Sequence, residues 1–329
     1  MRKLTRIAPF LAIAALLPAG PALALEVKPT GAIFSDYSVD LKKTLGTPAV
    51  FSHTFSLSRT RAGVWAKEGP VWGKVVFDAS ANPVGRLDAY LKYATAAVDL
   101  GLMRMQGGQF DTAWMVPVEG SWFPYRYATG EFTAREGLFP AVDRGLSLSG
   151  DMGPVGWNLG YFNGEGDQAS ETTNNRKAYE LTFRIAPMSG AEIALHGRYG
   201  DAPAGGTATA LAGLNVKAGP AVVGAQGGMN MQNFGTSTQT SGFGGSGHVY
   251  MPDLLPVPML ETPVVRADYA SDKFSPTNPS AHYRVIAGFD HEWAKGANTM
   301  ITFEFEQDLT ATANTPTSQT VAWKGGWSF

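Results

Sequence analysis

Hydrophobic and polar residues alternate one for one along much of this chain. Tyr179, Leu181, Phe183 and Ile185 point one way in an extended segment, with Glu180, Thr182 and Arg184 the other. Ile193, Leu195 and Tyr199 oppose Glu192, His196 and Arg198, and Tyr283, Val285, Phe289 and Trp293 oppose Arg284, Asp290 and Glu292. Ile301, Phe303 and Phe305 oppose Thr302, Glu304 and Glu306, and Leu87, Leu91 and Tyr93 oppose Arg86, Asp88 and Lys92. This period-two pattern predicts strands with one apolar face. Short turns fall at 67–70, 151–154, 187–190, 217–220 and 294–298, with two less obvious ones near 95–99 and 252–263. Longer polar stretches lie near 42–50, 79–85, 110–141, 164–176, 201–206, 231–241, 271–280 and 308–318. From Gly31 to Phe329 this gives sixteen strands, joined by eight long loops and seven short turns; Thr207–Met231, rich in Gly and Ala, is the weakest stretch.

The polar faces decide which side is wet. They carry Lys74, Asp78, Arg86, Asp88, Lys92, Glu180, Arg184, Glu192, Arg198, Arg266, Asp268, Arg284, Asp290, Glu292, Glu304 and Glu306. A dry core could not hold so many charges. A soluble β-sandwich, the competing reading, would bury the apolar faces against a second sheet. Strand-end aromatics (Trp65, Tyr93, Trp157, Tyr161, Trp293, Trp323, Trp327) suit interfacial girdles instead. The expected fold is all-β: a transmembrane antiparallel barrel of sixteen strands, apolar outside and water-filled inside.

The two ends agree. The closing run Val321-Ala-Trp-Lys-Gly-Gly-Trp-Ser-Phe329 puts Trp323, Trp327 and Phe329 on one face and Lys324 and Ser328 on the other. It resembles the final strand of bacterial outer-membrane barrels; the resemblance implies Phe329 as an assembly signal, read by the barrel assembly machinery. Met1 to Ala24 combines Arg2, Lys3 and Arg6 with an apolar run and Ala22-Leu23-Ala24, the order of a cleaved secretory signal. The expected division is signal peptide 1–24 and barrel 25–329, destined for the outer membrane of a Gram-negative cell and its lipid.

Composition narrows the chemistry. The absence of cysteine excludes disulfides, thiolate metal sites and covalently attached haem. Loss of the signal removes three basic residues and no acid, moving the formal charge from −2 to −5, which offers no footprint for nucleic acid. No His-Glu-x-x-His spacing occurs among the five histidines, and no cofactor or metal is expected. Gly242-Phe-Gly-Gly-Ser-Gly247 matches Gly-x-Gly-x-x-Gly, but it leads into a strand-like segment, not a helix.

The pore lining expected from the clearer strands is Lys74, Arg86, Asp88, Lys92, Arg184, Arg198, Arg266, Arg284, Glu304 and Glu306. The longest connector, Phe110 to Ala141, is too apolar to float outside: it holds Trp114, Trp122, Phe123, Tyr125 and Tyr127. A loop of this length is usually functional. It is expected to fold into the lumen, with Arg126, Glu131, Arg135, Glu136 and Arg144 as candidate constriction charges. Arg59 and Arg61 share parity with Phe55 and Leu57. Either a bulge intervenes or they sit at the rim.

Phe55-Ser-Leu-Ser-Arg-Thr-Arg-Ala-Gly-Val64 followed by Lys74-Val-Val-Phe-Asp78 resembles an early hairpin of the phosphate-selective porins O and P. Gly107-Gly-Gln-Phe110, Arg144-Gly-Leu-Ser-Leu-Ser-Gly150, Leu159-Gly-Tyr-Phe-Asn-Gly-Glu-Gly166 and Ala267-Asp-Tyr269 continue the resemblance in order. It implies a sixteen-stranded, usually trimeric porin with an inward third loop. Phosphate specificity does not carry over, because the lining is mixed and the long loop has no lysine. The expected function is passive diffusion of small hydrophilic solutes or ions, with at most a weak anion preference. The alternatives are a scaffold barrel sheathing a partner such as a cytochrome, and an outer-membrane enzyme.

Overall fold

The computed structural model describes residues 25–42, 50–81, 87–166, 177–201, 205–257, 259–276, 280–309 and 318–328. The expected signal segment, Arg86 and Phe329 lie outside these residues.

Sixteen strands form: β1 (Glu26–Lys42), β2 (Val50–Glu68), β3 (Val71–Ala81), β4 (Leu87–Asp99), β5 (Met103–Asp111), β6 (Val142–Met152), β7 (Val155–Phe162) and β8 (Ala178–Met188), then β9 (Ala191–Gly200), β10 (Gly206–Ala218), β11 (Ala221–Phe234), β12 (Thr240–Tyr250), β13 (Thr262–Ala270), β14 (His282–Ala294), β15 (Ala297–Asp308) and β16 (Ser318–Ser328). Each pairs antiparallel with its sequence neighbour, and β16 pairs with β1 to close the barrel. Closure leaves no unpaired edge, so every strand's backbone is satisfied within the sheet.

Alternation then sorts the side chains. Leu181, Phe183, Leu195, Phe243, Phe303, Trp323 and Trp327 are exposed on the outer face. Their inner-face neighbours Glu180, Thr182, His196, Arg198, Arg266 and Asp268 are buried. Apolar outside and polar inside is the arrangement the sequence pattern predicts. The weakly patterned stretch also forms two strands, β10 and β11, paired from Gly206↔Phe234 to Ala218↔Ala221.

Three features differ from the one-for-one reading. The expected turn near 95–99 sits at 100–102, where Gly101 takes φ +82° and lets β4 run on to Asp99. β1 starts at Glu26, five residues before Gly31. The third difference is a pair of β-bulges, where one extra residue shifts the parity of all that follows. Phe34 pairs with Arg59 and Ser35 with Leu57, so Ser58 is the extra residue in β2. Val76 pairs with Tyr93 and Phe77 with Leu91, which makes Lys92 the extra residue in β4. Leu91 therefore faces out while Tyr93 turns inward and is buried, correcting its assignment to the girdle. Trp65 also leaves the girdle, because it pairs with Lys74 on the inner face.

Candidate functional site

The segment between β5 and β6 is closed at its base by Thr112, whose N–H and Oγ1 donate to the carbonyls of Ala141 (3.0 Å) and Pro140 (3.0 Å). Between them the chain makes a π-helical turn, Met115–Glu119, and three short helical turns, Gly120–Trp122, Arg126–Thr129 and Phe132–Arg135. None exceeds five residues, so packing has to hold what propensity cannot. Trp114, Met115, Val118, Trp122, Phe132, Leu138 and Phe139 form one apolar cluster with Ala194 of β9, Leu211 of β10 and Ala270 of β13. Phe123 and Tyr125 form a second with Val264 and Met300 of β13 and β15. Two wall glycines admit the rings: a Cβ at Gly213 would lie 2.4 Å from the Trp122 ring, and one at Gly326 would lie 2.8 Å from Tyr127.

Polar anchors tie the same segment to the barrel wall. Ala113 N–H donates to Glu180 (3.1 Å), Trp114 Nε1 to Gln226 (3.2 Å) and Trp122 Nε1 to Glu192 (2.7 Å). The Tyr127 hydroxyl donates to Asp290. Arg266 donates to the carbonyl of Gly130 (2.7 Å) and to Thr129 Oγ1 (3.0 Å). These partners lie on β8, β9, β11, β13 and β14, so the segment packs on one half of the ring.

The candidate constriction charges divide. Arg135 bridges Asp268 (3.3 Å) and Glu306 (2.9 Å). Burial depresses its pKa, helped by Arg284 and opposed by the two acids. Glu136 is buried and contacts His282 Nε2 at 3.2 Å. Glu131 is buried near the N-terminal end of the turn Phe132–Arg135. Arg126 opens its own turn, and its side chain lies outside the described residues. Arg144 does not join the group. It shares parity with the exposed Leu146 and Leu148 of β6 and donates to Gln109 (2.9 Å), so strand alternation turns it toward the outer face.

Of the expected lining, Arg184 pairs with Glu192 (2.7 Å), Arg198 with Glu180, Arg266 with Asp268 (2.8 Å), and Arg284 and Lys324 share Glu304. Lys74 stands 4.1 Å from the centroid of Tyr93, Asp88 is exposed, and Lys92 is buried at its bulge. The bulge at Ser58 turns Arg59 and Arg61 inward, where both meet Asp78, at 3.2 and 3.0 Å. Arg104, which the alternation did not single out, pairs with Asp99 (2.6 Å) and lies over Trp72.

Pattern reading also missed two supports of the loop. Glu119 is buried and accepts from Phe132 N–H and from Thr133 Oγ1 (2.5 Å), joining two helical turns. Burial raises its pKa to about 7, against the opposing pull of Arg266 and Thr133. The loop after β13 contributes Phe274, stacked on Phe132 with centroids 5.8 Å apart, and Ser275, which donates to the Glu136 carbonyl (2.8 Å). No signal in the sequence marks either contact.

A closed sixteen-stranded barrel with an apolar exterior and a charged inner wall defines the architecture of outer-membrane porins and channels. Solved structures of that class match this chain along nearly its whole length. OmpTdeltaL8, a loop L8 deletion mutant of OmpT, an outer membrane protein of Vibrio cholerae, is 13% identical, with 92% of this chain and 100% of that chain covered at a TM-score of 0.68. The anion-selective porin from Comamonas acidovorans is 12% identical, covering 93% and 100% at 0.68. Salmonella typhi OmpF in complex with daunomycin is 10% identical, covering 92% and 97% at 0.66. No protein-family model and no curated protein matches the sequence. At these identities the likeness establishes the fold.

Proposed function

We propose that the chain is an outer-membrane channel for passive diffusion of small hydrophilic solutes and ions, with a weak preference for anions. One observation carries this reading. The 112–141 segment packs on the β8–β16 half of the ring, where Glu180, Asp268 and Glu304 are each paired with arginine or lysine. The β2–β5 wall keeps Arg59, Arg61, Lys74 and Arg104, whose near acids are Asp78 and Asp99. Neutralised acids on one side and excess cations on the other give the remaining passage a positive field.

In this reading the segment folds into the lumen and narrows it, a signal peptide at 1–24 is removed, and the barrel sits in outer-membrane lipid as a homotrimer built by the barrel assembly machinery. The printed selectivity of the Comamonas porin and the trimer form of Vibrio cholerae OmpT support it. Membership of the porin O/P group rests on the sequence resemblance. The chain acts as a channel rather than an enzyme or a sheath, since an apolar core against half of the wall leaves little room for an enclosed partner.

Purified protein in planar bilayers across a KCl gradient tests it. Stepwise ohmic conductance is expected, with a reversal potential on the chloride side that moves toward zero in the Arg59→Gln/Arg61→Gln double variant. A cation-side potential would overturn the anion preference, and a silent barrel would overturn the channel.

A further inference from the structure

The cavity of about 700 Å³ beneath the loop is bounded by Ala113 and Pro117 above and by the 100–102 turn below. Its wall is the inner face of β5–β8. There Arg104, Ser149, Asn158 and Thr182 stand directly opposite one another on four consecutive strands. Gly156 and Gly160 flank Asn158 on the same face of β7, opposite Arg184 and Ser147. With no side chain at either glycine, the wall between the two arginines is a recess floored by hydroxyl and amide groups. Arg104 and Arg184 are three strands apart, roughly 14 Å at ordinary strand spacing.

These two arginines differ from other cations of the inner wall. Their side chains are 48% and 41% exposed, against 5% for Arg198 and 3% for Arg266. Arg104 gives Nε to Asp99, and Arg184 gives Nε and Nη2 to Glu192. A guanidinium has five N–H donors, so each keeps several for a solute. Asp99 and Glu192 already balance their charge, and Asp111 and Asp151 line the same cavity. That balance suits a single carboxylate, held by paired N–H donors, better than a doubly charged phosphate.

We propose that this recess is a transit binding site for polyhydroxylated monocarboxylates: aldonic and uronic acids of one or two sugar units. The carboxylate pairs with Arg104 or Arg184, and the sugar hydroxyls exchange water for Ser147, Ser149, Asn158 and Thr182. The cavity volume lies in the range of small-molecule sites. The inference rests on the channel reading above.

The test uses the purified full chain in planar bilayers, with sodium glucuronate or lactobionate titrated against the open-channel current at constant ionic strength. Saturable block is expected, with propionate and inorganic phosphate needing at least about tenfold higher concentration, the scale of one charge-assisted hydrogen bond. Arg184→Gln and Ser149→Val are each expected to raise the half-blocking concentration by about tenfold, with Arg184→Lys recovering part of the loss. Variant block is read against each variant's own open current. Normal conductance without sugar-acid block, block by phosphate at equal concentration, or block unchanged in both variants overturns the site and leaves the channel standing. A chain without conductance overturns the channel reading itself.

Discussion

Glu119 shows how one side chain sets the firmness of a whole segment. Its carboxyl joins the turn ending at Glu119 to the one beginning at Phe132, and burial lifts its pKa from 4.5 to about 7. Between those values the folded chain binds a proton that the unfolded chain lacks. Protonation therefore favours the packed loop as pH falls through 7, and that contribution is lost as pH rises through 7. Open-channel flicker should be quieter at pH 5.5 than at pH 8.5. Glu119→Gln should be quiet at both, and an unchanged pH dependence in that variant would remove Glu119 from the account. Nothing in the local sequence marks this residue, because its neighbours Thr133 and Arg266 come from a later turn and a distant strand. Arg59 and Arg61 were visible as charges, yet their side was unreadable without the extra residue that carries them inward.

At the level of elements, the strands were legible because a sheet with two unlike faces writes a period of two into its sequence. The end of β4 was harder to read, since Ala94, Ala96 and Ala97 blur the contrast between faces and the turn depends on the positive φ of Gly101. The aromatic content of the long connector pointed to packing, but its partners could not be read: Gly213 and Gly326 matter by having no side chain. Deleting Gly120–Gly130 removes Trp122, Phe123, Tyr125 and Tyr127, and with them the anchors to Glu192 and Asp290. Single-channel conductance should rise in that variant. If it stays at the wild-type value, the segment is not what limits flow.

For the whole molecule, the exterior is the dominant energetic surface. Phe303 is exposed near the middle of β15 with Phe305 and Ile301 on the same parity. Replacing it by Arg would put a charge in hydrocarbon, and Phe303→Arg should cost about 2–4 kcal/mol of stability in lipid. Urea unfolding from phospholipid vesicles measures this directly, and a loss below about 0.5 kcal/mol would mean that this face does not meet lipid. The closed ring also makes the two ends of the described chain interdependent, since β16 is held on one side by β15 and on the other by β1.

The extra residues at Ser58 and Lys92 have a consequence for how such a chain can change length. Leu57 already faces out and Arg59 in, as do Leu91 and Tyr93, so excising Ser58 or Lys92 restores simple alternation without turning any other side chain around. A one-residue deletion elsewhere within a strand would swap lipid-facing for water-facing groups over the rest of that strand. Ser58 and Lys92 are thus two points at which this wall can lose a residue and keep its inside and outside intact.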